Sequence, residues 1–416
     1  MRIAIQALGT RGDVQPYVAL ALGLLSDGHD VQLAGPMQFE TMARERGVPF
    51  APLPGEFLEL INTPEGKAAM ASGPAGFGAG LKLLKYIRPL MRKLLDAEWL
   101  AVRDFQPDVI VHHPKSIASP HMAEKLGRPF ILASPLPGFT PTSAFPTPLL
   151  PFANLGPFNR ASHGLATNAS NVLFRRLLSD WRATTLGMPG SPAKRLRARG
   201  TIYAYSPSVL AKPADWNEDV LVSGYWFLDT PAWEPDDDLR AFIQSGSPPI
   251  YIGFGSMPGL DAERVTKICI EALEKTGKRG LLATGCGALA AVHGVSHVRS
   301  ISGAPHDRLF PHLSATIHHG GAGTTGASLR AGKPTVACPF FGDQPFWARR
   351  IAQLGVGPPP LDRKRLTASA LAEAIVAMDA PDVRRQAAMI GAAIRDEGGV
   401  PAAVAFIRKT IEGSWP

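Results

Sequence analysis

The chain has 416 residues, 45% of them hydrophobic and 19% charged. That is the balance of an ordinary globular protein, and the length exceeds what one hydrophobic core normally holds, so two domains are expected. Lys and Arg number 43 against 35 Asp and Glu, a net charge of +8 that favours anionic small partners; the basic residues are scattered in short clusters and no nucleic-acid-binding module is visible, so nucleic acid is excluded.

Cys269, Cys286 and Cys338 lack CxxC spacing, and the apolar start before Arg11 is too short for a secretory signal. No run of about eighteen apolar residues occurs. Buried thiols in a cytoplasmic protein that spans no membrane are the expectation.

In chain order, strands are predicted at 2–8, 30–35, 50–53, 108–113, 129–134 and 201–206. Helix-like stretches separate them, beginning with 15–27, where Val18, Leu22 and Leu25 recur at helical spacing and Gly28 supplies a stop. The stretch 78–104 is basic and amphipathic. A helix packed on the core with a solvated charged face is favoured there over weak contact with a membrane surface. The proline-rich stretch 135–158 also carries phenylalanine and leucine, and reads either as a structured loop lining a cavity or as a surface connector. Tryptophans, prolines and Asp236-Asp237-Asp238 break the periodicity at 216–238, which is assigned as a linker between a domain at 1–215 and one at 239–398. Further strands are predicted at 249–256, 280–285, 298–303, 315–319 and 334–339. Residues 399–416 form a last helix packing across the domains, with Val404, Ile407 and Ile411 on one face. Alternation of this kind implies an α/β fold with two doubly wound, mostly parallel sheets.

Chemistry concentrates in the loops that follow strands. Gly9-Thr10-Arg11-Gly12-Asp13 follows the first strand and opens the first helix, but its G-x-x-G spacing and the missing acid at the end of the second strand exclude a dinucleotide fingerprint. Asp13 by itself reads as a helix cap; facing a nucleotide-sugar site across a cleft, it is the better candidate for a general base. His318-His319-Gly320-Gly321-Ala322-Gly323-Thr324-Thr325 is a small-residue turn between a strand and a helix. Its free amides and positive helix end suit phosphate, with His319 and both threonine hydroxyls as further donors. Asp343-Gln344, in the next strand-to-helix connection, suits the hydroxyls of a sugar. Ser256, ending Phe254-Gly255-Ser256, is a second place to meet a diphosphate, and His306 in Ala304-Pro305-His306 frames a base or ribose. The adjacent histidines at 112–113 and 318–319 point to opposite faces of their strands, so no metal is expected.

Together, GTRGDVQPYVALALGL at 9–24, GFGSM at 253–257, APHDRLF at 304–310, HHGGAGTT at 318–325 and PFFGDQPFWA at 339–348 resemble family-one glycosyltransferases of the GT-B fold. The resemblance is to the branch holding sterol 3-β-glucosyltransferases and bacterial glycosyltransferases of glycopeptide and macrolide antibiotics. It implies two Rossmann-like domains facing across a cleft, and an inverting transfer of a hexose from a UDP-sugar, glucose foremost, to an acceptor hydroxyl. Asp13 stands at the position of the base. Ser256, His319, Thr324 and Thr325 stand at diphosphate positions, with the Gly321 and Gly323 loop beside them, and Asp343 and Gln344 stand at sugar positions. Gly303 and Ala327 replace the tryptophan and glutamate that plant relatives set against uridine. No cofactor is implied beyond the nucleotide sugar, UDP-glucose, as co-substrate. A bulky apolar acceptor of sterol, triterpenoid or polyketide type fits 135–158, with Phe139, Phe145, Leu149 and Phe152 as acceptor-binding candidates. The rival readings are a transferase acting on a lipid-linked precursor at a membrane and a nucleotide-sugar-binding protein without catalysis.

Overall fold

The structure is a computed structural model that describes residues 1–416 except 57, 58, 60–62, 64–73, 193–195, 231, 256–260, 286 and 414–416, and only the backbone of 74–86, 165, 166 and 168–171. Seven strands build the first sheet: β1 (Arg2–Gln6), β2 (Asp30–Pro36), β3 (Phe50–Leu53), β4 (Val109–His112), β5 (Phe130–Ser134), β6 (Gly200–Tyr203) and β7 (Val220–Val222). Five build the second: β8 (Ile250–Gly253), β9 (Gly280–Ala283), β10 (Val298–Ile301), β11 (Ala315–His318) and β12 (Thr335–Ala337). The orders are β3-β2-β1-β4-β5-β6-β7 and β10-β9-β8-β11-β12. Every pairing is parallel. This is the pair of doubly wound sheets that the strand–helix alternation predicts.

The strands read as near-continuous apolar runs because helices cover both faces. Ile3, Ala4 and Ile5 of β1 are fully buried, as are Val109, Ile110 and Val111 of β4. The helix Arg11–Ser26 lays Val14, Tyr17, Val18, Leu20, Ala21 and Leu24 on one side of the first sheet. The helix Pro74–Phe105 lays Met91, Leu94, Leu95, Trp99 and Val102 on the other. From residue 87 onward that helix is core-packed, as favoured for 78–104; the side chains before it lie outside the described residues. Among the described residues no helix is long and apolar enough to cross a membrane.

The last helix, Gly399–Glu412, returns to the first half. Its Ala403, Val404 and Ile407 join the core of Ile3, Ile5 and Leu20. Gly23 of the first helix permits this approach, since a Cβ there would lie 2.3 Å from Val400. A separate cluster bonds the halves at their junction, with Tyr203, Tyr205 and Trp216 from one side and Trp347, Ile351 and Ala387 from the other.

Two expectations are corrected. The first domain does not end at 215: β7 extends its sheet to Val222, and the crossing to the second half begins after it. Three residues between irregular segments are too short to show a period. Phe145, expected to bind the acceptor, is 9% exposed and packed in the junction cluster, with its ring 5.7 Å from Phe346 and 6.3 Å from Trp216. Its apolar side chain is consumed by the interface rather than offered to a ligand. The surrounding stretch is pinned rather than loose: Phe139 N–H donates to Tyr203 Oη (3.3 Å), Thr142 Oγ1 to Asp215 (2.7 Å) and Thr147 N–H to Ser162 Oγ (2.9 Å).

Candidate active site

In a doubly wound sheet the loops diverge where the strand order reverses, leaving a crevice beyond the carboxyl ends of the strands. That point lies between β1 and β4 in the first sheet and between β8 and β11 in the second. The loops after these strands meet in one cleft of about 2430 Å³.

Asp13 projects from the first turn of the helix Arg11–Ser26 and is 18% exposed. Its Oδ2 accepts from Thr10 N–H (2.8 Å), Thr10 Oγ1 (3.1 Å) and Lys115 Nζ (2.7 Å), and His113 Nε2 lies 3.3 Å from Oδ1. The cap itself is Thr10, and Asp13, expected to precede the helix, lies inside it at the third position, where it closes the capping box and lines the cleft at once. Gly9 makes room for this cluster: its φ is +132°, and a Cβ there would stand 2.2 Å from Asp13 Oδ2 and 2.8 Å from Lys115 Nζ. Burial alone would raise the Asp13 pKa, but the Lys115 charge and the His113 bond outweigh it and hold the carboxyl well below the usual range. His113 Nδ1 accepts the Lys115 backbone N–H (3.1 Å), which assigns the ring proton to Nε2, facing Asp13. Burial lowers the pKa of His113, and the Asp13 carboxylate opposes that fall.

His113 and Lys115 were not among the sequence candidates. Spacing along the chain carries no signal for them, because only the sheet order shows that the end of β4 lies beside the end of β1, where His112 pairs with Gln6.

The opposite wall is built from backbone. Gly320 has φ +86°, and Gly321 starts the helix Ala322–Arg330 with no side-chain cap, leaving first-turn amides toward the cleft. His318 and His319 divide their tasks. His318 is fully buried, its Nδ1 accepting from Gly320 N–H (2.9 Å) and its Nε2 lying 3.1 Å from Thr335 Oγ1, whereas His319 lines the cleft. A Cβ on Gly321 would come within 2.5 Å of His319 Nε2, so the bare glycine sets the position of that ring. Burial lowers the pKa of His319 to about 4. His306 lines the same wall, stacked on Phe310 at 4.3 Å, and burial, helped by the nearby charges of His319 and Arg11, lowers it to about 4 as well.

Gly321, Gly323 and Thr324 line the cleft. Thr325 does not: it is 1% exposed and turned into the domain, because one step along a helix rotates a side chain by about 100°. Ser256 lies outside the described residues; Gly255, before it, lines the cleft.

Asp343 and Gln344 open the helix Gln344–Gln353 and line the cleft. Asp343 Oδ2 accepts from Trp347 Nε1 (2.8 Å), and Gln344 Oε1 accepts from Phe340 N–H (2.8 Å) and Phe341 N–H (3.3 Å). Burial raises the Asp343 carboxyl to about 6, the Trp347 bond opposes the rise, and the negative charge of Asp13 from across the cleft adds to it.

Of the remaining acceptor candidates, Phe139 and Leu149 line the cleft. Phe152 is 52% exposed and is not among the lining residues; Arg349 holds its carbonyl from the second half (3.1 Å). Gly303 and Ala327 also line the cleft. Among the described residues no group of three or more His, Cys, Asp or Glu is placed to hold a metal ion.

Two family models match the chain: the glycosyltransferase family 28 N-terminal domain over residues 3–146 and the erythromycin biosynthesis protein CIII-like C-terminal domain over residues 287–405. A sterol 3-beta-glucosyltransferase of Arabidopsis thaliana is 36% identical over 100% of this chain and 69% of its own length. One from Aspergillus fumigatus is 34% identical over 99% of this chain, which spans only 30% of the fungal protein. Among solved structures, the calicheamicin glycosyltransferase CalG4 superposes with a TM-score of 0.71 at 19% identity, covering 100% of this chain and 99% of its own. The glycosyltransferase VinC, in complex with dTDP, gives 0.69 at 18% identity, covering 99% of this chain and 100% of its own. At such identities the structures speak to the fold alone, and that fold is GT-B. With the Arabidopsis relative matched along the whole chain, this protein belongs to the glycosyltransferase family that includes the sterol 3-beta-glucosyltransferases, and it is a glycosyltransferase.

Proposed function

We propose that this glycosyltransferase moves a hexose, glucose foremost, from a UDP-sugar to a hydroxyl of a bulky apolar acceptor of sterol, triterpenoid or polyketide type, with inversion at the anomeric carbon. One observation supports this above the others: an ionised carboxylate, Asp13, and an uncapped helix end flanked by His319 and Thr324 open onto one cleft from opposite domains.

The acceptor oxygen attacks the anomeric carbon on the face opposite the diphosphate; the new C–O bond forms as the bond to the diphosphate oxygen breaks, and the hydroxyl proton passes to Asp13. The low basicity of Asp13 is no obstacle, because the oxygen becomes a strong acid as it bonds carbon and releases its proton late. Charge developing on the leaving diphosphate meets the amides of 321–324, the Thr324 hydroxyl and the His319 ring. Asp343 and Gln344 receive the sugar hydroxyls, and the walls of the cleft keep water from intercepting the donor. The nucleotide sugar is a co-substrate, and this mechanism uses no metal or separate cofactor. Cys269 and Cys338 are unbridged and buried, which fits a reducing cytoplasm.

The experiment is to incubate the protein with UDP- and dTDP-sugars, alone and with sterol and flavonoid acceptors. Diphosphate release and the anomeric configuration of the product are then measured. The expected result is a β-glucoside from α-configured UDP-glucose. Release from no donor overturns the reading; a retained configuration overturns the mechanism.

A further inference from the structure

The cleft extends well past the reacting groups. On β5, Phe130, Leu132 and Ser134 line it, while Ile131 and Ala133 belong to the core on the other side of the sheet. Alternate residues share a face, so the cavity follows the strand from end to end, about 13 Å at the usual rise per residue. Thr201 of β6, paired with Leu132, lines it as well. The facing wall is a stripe of the helix Asn159–Thr184, where Arg175, Leu178 and Arg182 stand three and four residues apart. At the Phe130 end, away from Asp13, this channel meets a second cavity of about 820 Å³, with Pro120, Phe130, Leu196 and Arg197 lining both.

Arg182 is 1% exposed and still lines the channel. Its Nε donates to the Pro189 carbonyl (2.8 Å), and its Nη1 to Glu124 (2.6 Å) and His121 Nδ1 (2.8 Å). Burial, helped by the Arg182 charge, lowers the His121 pKa to about 4, so that ring is neutral and Glu124 alone opposes the guanidinium charge. Nη2 makes no bond among the described residues. A buried guanidinium that leaves donors unused costs free energy unless something accepts from them.

The surrounding charge points the same way. Arg199 N–H donates to the Phe130 carbonyl (2.8 Å), which sets the segment containing Arg197 at the far end of the channel. Arg182 is paired with Glu124, and Arg128 with Asp108 (3.8 Å). Arg175, Arg197 and Arg199 have no ion-pair partner among the described residues, and they face one unpaired acid on the lining, Asp219. An apolar floor of Phe130, Leu132 and Leu178 thus leads from the catalytic carboxylate to an excess of arginine.

We infer that Arg182 and Arg197 bind a carboxylate at the far end of the acceptor, so that the substrate is an elongated apolar skeleton with a hydroxyl at one end and a carboxylate at the other. The inference rests on reading the cleft as that of a transferase with an apolar acceptor, and it narrows that class. A carboxylate offers two coplanar oxygens to the guanidinium fork, and the rest of such a skeleton stays apolar, as the channel floor requires.

The test is calorimetric binding of 3β-hydroxy-5-cholenoic acid and of its methyl ester, with UDP present, to the full chain and to Arg197→Gln, Arg197→Glu and Arg182→Met. Thermal melts check folding; Arg197 is exposed, so its variants keep the test valid where Arg182→Met does not fold. A charge-assisted bond predicts that the wild type binds the acid about tenfold tighter than the ester. Arg197→Gln should cut that preference several-fold and Arg197→Glu should abolish it, while ester binding stays within about twofold. Acid bound no tighter than ester, or a preference intact in Arg197→Glu, overturns the inference. Glucose transfer from UDP-glucose to cholesterol by the same preparation separates the two readings. Transfer without a preference for the acid overturns the carboxylate site alone; no transfer, with neither compound bound, defeats the reading of the reaction and the inference with it.

Discussion

The two sheets share a strand order around their switch points yet make opposite kinds of surface there. Beside β1 and β4 the surface is built from side chains: Asp13, His113 and Lys115 hold one another at 2.7 to 3.3 Å. Beside β8 and β11 it is built from backbone, with glycines at 320, 321 and 323, an uncapped helix start and imidazoles that stay neutral. Topology fixes where a ligand sits; side chains decide whether the place offers charge or dipoles. An acceptor hydroxyl needs one proton acceptor fixed at one point, whereas a diphosphate needs many donors spread over several oxygens, and the two walls suit those different demands.

The largest effect is expected on the charged wall. Asp13→Asn removes the base but keeps the shape, so kcat should fall by about 10²- to 10⁴-fold while UDP affinity measured by calorimetry stays nearly constant. A parallel loss of nucleotide binding would show that the two walls are not chemically separate.

Next comes pH on the donor wall. Asp343 is raised to about 6 in the folded protein. It is therefore a carboxylate able to accept sugar hydroxyls above that pH and is neutral below it. Donor KM should rise as pH falls through about 6, and Asp343→Asn should flatten that limb. The sign for stability is the reverse: a raised carboxyl pKa means that burial opposes the ionised form, so this group's contribution to folding is full at low pH and declines as pH rises through about 6. A KM limb unchanged in the variant would remove Asp343 from sugar binding.

Lys115→Met should act more gently. The lysine side chain is 53% exposed, so its ion pair is partly screened by solvent. Without it the Asp13 pKa rises toward the ordinary range, and the acid limb of the kcat/KM profile moves to higher pH. Nucleotide binding should not follow. A limb that stays in place would mean that His113 and the Thr10 amide hold the carboxylate by themselves.

The smallest effects compare neighbours. Thr324→Val, on the cleft wall, should weaken UDP by about the value of one hydrogen bond, several-fold. Thr325→Val should leave binding unchanged and be neutral or slightly stabilising, since its buried hydroxyl has no partner among the described residues and valine fills the same shape. Equal losses from both would mean that the helix rotates on binding.

Much of this organisation was legible in the sequence. The strands fell where apolar runs alternate with amphipathic stretches, within a residue or two of their observed ends for most elements. β7 escaped because three residues carry no measurable period. Phe145 was misplaced because a phenylalanine wanted by a domain junction looks the same as one wanted by a ligand. Thr325 was grouped with Thr324 because adjacency in sequence hides the rotation between successive helical positions. His113 and Lys115 went unnoticed because about a hundred residues separate them from Asp13.

The sequence alone thus determined the α/β alternation, the glycine-rich turns and the loops that bear chemistry, since each depends on propensity and spacing among near neighbours. Only the tertiary structure decided which side chains reach the cleft and which partners set their charge. Those follow from the lateral order of strands, which puts β4 beside β1, and from the rotation of each helix against its sheet. Both are settled by burying apolar faces over long separations in the chain.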